Sequence, residues 1–154
     1  MKVYISGALQ GASHLAMAKE LYENAAAAVV ASGNVAYLPH TQTDPVEHSA
    51  RSAAQVYETD LHQLAASDVV LAFVDYPSLG VGAEIAIALH RNLPVIALRE
   101  KGRQVSRFVE GLLSANGYGV ADYEGRASLR EIVPELLSKL DDGNADWNSV
   151  RAAE

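Results

Sequence analysis

Six consecutive apolar residues, Val69-Val70-Leu71-Ala72-Phe73-Val74, constrain this chain most. A run so short, with no alternation, fits a strand buried on both faces, as in a parallel sheet covered by helices on each side. It ends in Asp75-Tyr76-Pro77-Ser78-Leu79-Gly80-Val81-Gly82, a turn-rich stretch, and a helical pattern follows from Ala83. In open α/β sheets, ligands bind outside the carboxyl ends of the strands, where such connections lie. Gly80 and Gly82 read as loop glycines that let a ligand approach the backbone. Glu84 reads as a carboxylate in the first helical turn, kept ionised by the helix dipole.

The rest of the chain alternates in the same way. Strands are expected over Val3 to Ser6, Val35 to Leu38, Asp68 to Val74, Pro94 to Leu98 and Gly119 to Asp122, the last at an edge. Helices are expected over Leu15 to Ala31, Ala50 to Ala66, Ala83 to Arg91, Val105 to Ala115 and Leu129 to Leu140. Pro39 to Ser49, with two prolines, two histidines and several hydroxyls, reads as a long loop over the sheet. The pattern predicts an α/β fold: one doubly wound, Rossmann- or flavodoxin-like domain over residues 1–141, with about five parallel strands and helices on both faces. Residues 142–154 read as a polar tail, with Trp147 either frayed or docked on a neighbouring subunit.

Bulk properties narrow the function. With 154 residues and 49% hydrophobic content, the chain can bury one full core. A net charge of −7 argues against nucleic acid as a partner, because phosphate neutralisation needs a basic face. No run approaches membrane-spanning length, and no signal-peptide layout precedes the first strand, so a cytoplasmic protein with no membrane partner is expected. The absence of cysteine excludes thiolate metal sites, and the histidines lack a His-x-x-x-His spacing. The loop Gly7-Ala8-Leu9-Gln10-Gly11-Ala12-Ser13 matches neither a Walker A loop nor a Gly-x-Gly-x-x-Gly fingerprint, yet it can offer backbone amides to an anion.

Individual candidates each have an ordinary reading beside the functional one. Asp60 falls at the border of a buried helical stripe, either as a solvated aspartate or as the proton donor partnering Glu84 in a two-carboxylate glycosidic site. His40, directly after Pro39, is the histidine best placed over the crevice, to touch a base or a phosphate. Tyr4 is either a core residue or one that presents its hydroxyl at the strand end.

Asp60-Leu-x-x-Leu-x-x-Ser-Asp-Val-Val followed by Pro77-Ser-Leu-Gly-Val-Gly-Ala-Glu84-Ile resembles the nucleoside 2-deoxyribosyltransferase superfamily. The segment Pro-Ser-Leu-Gly-Val-Gly-x-Glu is similar to its 2′-deoxynucleoside 5′-monophosphate N-hydrolase branch. The likeness runs from Tyr4-Ile-Ser-Gly to Asp122-Tyr-Glu. It implies Glu84 as a nucleophile forming a glycosyl-enzyme intermediate, Asp60 as the proton donor to the departing base, and Tyr4 as a group orienting the nucleophile. Ser6, Gly7, Gln10, Gly11, His40, Gly80 and Gly82 would line the substrate site. Ser78 and Ser106 would hold the 5′ end, Ser106 reaching the site of a neighbouring subunit, which implies a homodimer or higher homo-oligomer. No metal and no organic cofactor is implied, and the partner is a small nucleotide or nucleoside. Serine at 78 can donate to a 5′-phosphate that an aspartate would repel. Gln10 departs from the branch, which carries arginine in its Gly-Ser-Ile-Arg-Gly-Gly loop, so Arg103 or Arg107 would have to supply that charge.

The reading that follows is cleavage of deoxynucleoside monophosphates to free base and 2-deoxyribose 5-phosphate. Three alternatives stay open: base exchange between free deoxynucleosides, a cytokinin-activating type of phosphoribohydrolase, whose Pro-Gly-Gly-x-Gly-Thr segment is not matched here, and a non-catalytic nucleotide-binding module.

Overall fold

The computed structural model describes residues 1–9 and 15–141. Five strands, β1 (Lys2–Ser6), β2 (Val35–Tyr37), β3 (Val69–Phe73), β4 (Val95–Glu100) and β5 (Val120–Tyr123), form one sheet. All pairings are parallel, in the order β2-β1-β3-β4-β5. Six helices connect and cover them: α1 (Leu15–Ala31), α2 (His40–Thr43), α3 (Ala53–Ala65), α4 (Leu79–His90), α5 (Arg107–Ala115) and α6 (Gly125–Asp141).

Period-two alternation along buried strands divides the core into two halves. Val3 and Ile5 of β1, with Val69, Leu71 and Phe73 of β3, pack toward α1 and α6. Tyr4 of β1, with Val70 and Ala72 of β3, packs toward α3, α4 and α5. Every residue of β3 is buried, which explains its unbroken apolar composition. Strand order reverses between β1 and β3, so a crevice opens at their carboxyl ends.

Several elements differ from expectation. The helix after β3 begins at Leu79 rather than Ala83, because the Ser78 hydroxyl caps it, accepting the amide of Val81 at 3.3 Å. Gly80 and Gly82 therefore belong to the first turn of α4, and Glu84 lies in its second turn. The expected loop of residues 39–49 contains α2, opened by Pro39 and closed by the Thr43 amide donating to the Pro39 carbonyl at 2.8 Å. Just beyond, the buried Asp44 carboxylate accepts the amides of Val46 and Glu47, both at 2.8 Å. Helix α3 starts at Ala53 instead of Ala50, where Ser52 and Gln55 form a capping box. Strand β4 runs two residues past Leu98, and Arg99 there bonds Asp122 across the ladder at 2.6 Å. Gln10, Gly11 and Trp147 lie outside the described residues.

The middle of α1 is held against the chain just past β1 by a close approach. A Cβ at Gly7 would meet the Tyr22 ring at 2.2 to 2.6 Å, inside any van der Waals contact. Tyr22 is itself buried and donates to the Ala8 carbonyl at 3.2 Å. Gly7→Ala is expected to lower the unfolding free energy by about 1–3 kcal/mol through overpacking. Urea denaturation measures this, and an unchanged midpoint would mean that Tyr22 yields freely.

Candidate active site

Glu84 is the centre of the crevice. Tyr4 and Ser6, two residues apart on β1, point to the same face of the sheet, the face that α4 covers. The Tyr4 hydroxyl donates to Oε1 of Glu84 at 2.7 Å, and the Ser6 hydroxyl donates to Oε2 at 2.5 Å. Each carboxylate oxygen thus has one fixed donor, so the carboxyl plane cannot rotate freely. The Tyr4 ring stacks on Tyr37 of β2, with centroids 5.5 Å apart, which fixes the hydroxyl in turn. Burial, and then the neighbouring Glu84 charge, push the Tyr4 phenol far above its usual range, so it stays a donor.

The helix dipole is not what governs Glu84, contrary to expectation, because the residue lies beyond the first turn. Burial raises its carboxyl above the ordinary value, and the nearby Asp60 charge adds to this. The Ser6 and Tyr4 hydrogen bonds act in the opposite direction. Asp60, on α3, is also raised by burial, against a hydrogen bond from Thr43 and the charge of Arg51. Both carboxyl groups face one open cavity of about 560 Å³. Two acids in one desolvated space cannot both ionise easily, which favours one being protonated while the other is charged.

The cavity brings together Tyr4's partner Glu84 with Gly7, Asp60, Ser78 and Gly80. Ser6 reaches it through its bond to Glu84. Gly82 and Ser106 line a second cavity, of about 280 Å³, on the other side of the first turn of α4, and Ser78 and Val81 border both. Ser106 stands at the N-cap of α5 without a capping bond from its side chain. His40 is not over the crevice. It opens α2 and is buried toward α1, with Nε2 at 3.5 Å from Oε1 of Glu23. Arg103 is also elsewhere, stacked on Tyr76 at 4.7 Å and paired with Glu100 at 2.9 Å.

Several lining residues were not singled out from sequence. His48 lines the cavity, with Nδ1 buried and lacking a hydrogen-bond partner among the described residues. Arg51 is the only lysine or arginine among the described residues that line it. Thr43 bonds Asp60, and Asp44 forms part of the wall. Lys19 of α1 lies 2.5 Å from Oδ2 of Asp44. Burial opposes the Asp44 charge, but Lys19 and the two amides outweigh it and bring the carboxyl down to about 2. Most of these residues fall within the Pro39 to Ser49 stretch, which its histidines and hydroxyls marked only as a whole. Arg51 carried no signal. Among the described residues, no helix is long and apolar enough to cross a membrane, and no cluster of three histidine or acidic side chains could hold a metal ion.

Residues 3–130 match the family model described as nucleoside 2-deoxyribosyltransferase. The chain belongs to that family, whose enzymes act on the N-glycosidic bonds of nucleosides and nucleotides. It is 37% identical over 145 residues to a protein of Thermofilum pendens provisionally named 2′-deoxynucleoside 5′-phosphate N-hydrolase 1, covering 92% of this chain and 93% of the relative. It is 32% identical to a 5-hydroxymethyl-dUMP N-hydrolase of Tetraodon nigroviridis, covering 80% and 88% of the two chains. Among solved structures, a Clostridium botulinum CMP N-glycosidase shares the fold with a TM-score of 0.63 at 18% identity, covering 93% of this chain and 99% of that one.

The raised carboxyl at Glu84 has a consequence for stability. A folded-state value above 4.5 means a contribution fully present below that pH and lost as pH rises through the folded value. At neutral pH the ionised Glu84 is therefore a cost. Glu84→Gln is expected to raise the melting temperature near neutral pH, by about 2–4 °C for each kcal/mol recovered, with no gain below about pH 4. Melting curves at the two pH values measure it. A variant less stable than the native protein at neutral pH would mean that the two hydroxyls outweigh burial.

Proposed function

We propose that this chain cleaves the N-glycosidic bond of 2′-deoxynucleoside 5′-monophosphates, releasing free base and 2-deoxyribose 5-phosphate. The observation that carries this reading is the carboxylate of Glu84, gripped on both oxygens and facing a cavity it shares with Asp60. Glu84 attacks the anomeric carbon as the bond to the base breaks, giving a glycosyl ester. Asp60 gives its proton to the departing base, and a water molecule then releases the sugar as Asp60 takes a proton back. The intervening transition state is cationic at the sugar, and the adjacent carboxylates lower its energy. Lack of a 2′-hydroxyl makes that cation easier to form, which favours deoxy substrates.

Several features support a phosphate at the 5′ end. Ser78 and Gly80 line the cavity at the N-terminus of α4, where uncommitted backbone amides suit an anion. Ser78 accepts from the Val81 amide, which leaves its own proton to donate outward. Relatives named for monophosphate substrates point the same way. The absent loop arginine, Gln10 here, removes one charge-assisted contact, and Arg51 is the cation at hand. His48 forms part of the wall against which the base would lie. Ser106 joins the site from a second copy of the chain. Leu79, 97% accessible, lines its cavity, and Phe108, 80% accessible, lies two residues past Ser106 on α5; these exposed side chains give the two copies an apolar surface to bury.

Chromatography with matched substrates tests this. Deoxyguanosine monophosphate and deoxyguanosine are incubated separately, each with and without adenine. Guanine and deoxyribose 5-phosphate from the monophosphate alone are the expected products, and Ser78→Asp should lower kcat/KM for the monophosphate at least tenfold, about 1.4 kcal/mol, while affecting the free nucleoside less. Deoxyadenosine formed from deoxyguanosine and adenine would instead make the chain a transferase, and the role given to Ser78 would fall.

A further inference from the structure

Thr43 has two acceptors for one proton. Its buried Oγ1 lies 2.9 Å from the Pro39 carbonyl oxygen, and 3.1 and 3.2 Å from the two carboxylate oxygens of Asp60. A threonine hydroxyl donates one hydrogen bond and accepts up to two, whereas a carbonyl only accepts. The Pro39 carbonyl does not depend on that hydroxyl, because the amides of Gln42 and Thr43 already donate to it at 2.9 and 2.8 Å. Thr41, one turn-edge away, makes the ordinary helical back-bond, donating to the Leu38 carbonyl at 2.7 Å, and is exposed. Thr43 makes the same kind of back-bond and also meets a carboxylate at the rim of the cavity.

This arrangement serves an aspartate in either protonation state. With Asp60 ionised, the Thr43 hydroxyl turns its proton to the carboxylate. With Asp60 protonated, the acid donates to Oγ1, and Oγ1 turns its proton to the Pro39 carbonyl. Neither state strands a buried polar atom, so neither carries the penalty of an unmade hydrogen bond. A backbone amide could only donate, and a carbonyl could only accept; each would favour one state and resist the other.

We propose that Thr43 is a positioning residue that carries Asp60 through its proton cycle, accepting from the acid before the base departs and donating to the carboxylate afterwards. This rests on the reading of Asp60 as the group that protonates the base. In the first half-reaction the bond between Glu84 and the anomeric carbon forms, the bond to the base breaks, and its electron pair takes the Asp60 proton. In the second, water oxygen bonds the anomeric carbon, the ester bond to Glu84 breaks, and the water proton returns to Asp60. The Thr43 hydroxyl turns once in each half. Among the described residues, the other titratable groups facing Asp60 are Arg51 ahead of α3, Tyr4 on β1, Tyr37 on β2 and Glu84 on α4, with His48 on the same cavity. Burial opposes the Asp60 carboxylate, while the Thr43 hydroxyl and Arg51 favour it, so Asp60 is balanced between its two states rather than locked in one.

The test compares the native protein with Thr43→Val, Thr43→Ser and Asp60→Asn, with thermal melting as a check on folding. Carboxyl-carbon NMR follows the Asp60 titration in the free protein, and kcat and KM on deoxyguanosine monophosphate are measured across pH. Thr43→Val is close in shape and lacks the hydroxyl; Thr43→Ala repeats the loss should valine not fit. Losing the donor is expected to move the Asp60 titration to higher pH and to lower kcat about tenfold, with KM changed less than about twofold; that is a fraction of the 10²–10⁴ that a general acid contributes. Thr43→Ser should recover most of both. A valine variant that titrates or turns over like the native protein overturns the proposal, and if Asp60→Asn is then inactive, the reading of Asp60 stands without it. Native turnover in Asp60→Asn would remove Asp60 from the chemistry, and Thr43 with it.

Discussion

The two hydroxyl bonds onto Glu84 are what the rest of the site depends on. They exist only because Tyr4 and Ser6 stand two residues apart on a strand, and so on one face of it. That strand is next to β3, whose own carboxyl end leads into the helix that carries Glu84. The grip therefore ties β1 to α4 across the point where strand order reverses. Ser78 sets the start of α4 and thereby which residue faces β1. Tyr37 backs the Tyr4 ring from the edge strand, and Gly7 lets the chain leave β1 close under Tyr22.

A second tension is electrostatic. Glu84 and Asp60 share a partly desolvated space, and burial pushes both carboxyl groups toward the protonated form. Among the described residues, hydroxyl donors and one guanidinium offset this, with no ion pair at either acid. An ion pair would lock a carboxylate in its charged state, whereas hydroxyls leave the proton free to come and go. Asp44 shows the contrasting arrangement a short distance along the same wall. There Lys19 and two amides hold a carboxylate firmly charged, and the result is a brace for the segment after α2, not a titrating group.

The centre of the sheet was legible in the chain because β3 and the first four residues of β4, buried on both faces, had to be apolar, and α1 ends where Ser32-Gly33-Asn34 stops any helix. The start of α4 was not. Glycine is a poor helix former, so Gly80 and Gly82 read as loop, and the Ser78 cap decided otherwise. That shift moved Glu84 out of the first turn and replaced a dipole argument with one based on burial and hydroxyl donors. The stretch after β2 was legible as important but not residue by residue. A single turn of helix at His40–Thr43 rolls His40 under toward Glu23 and brings Thr43 up to Asp60, while His48, farther along, faces the cavity. Such a turn is too short to leave a periodic signal. The approach of Asp60 to Glu84 is equally invisible in spacing, since it arises from two helices laid side by side over the sheet.

The central claim is that Glu84 becomes covalently bonded to the sugar. Fluorine at the 2′ carbon withdraws charge from the anomeric centre and slows release of a glycosyl ester. A 2′-fluoro-2′-deoxynucleoside 5′-monophosphate with a good leaving base, followed by peptide mass spectrometry, measures whether such an ester forms. The account predicts a fluorodeoxyribose-phosphate adduct on the peptide carrying Glu84, with release of one equivalent of base. Base release with no adduct, or an adduct on another residue, would contradict it.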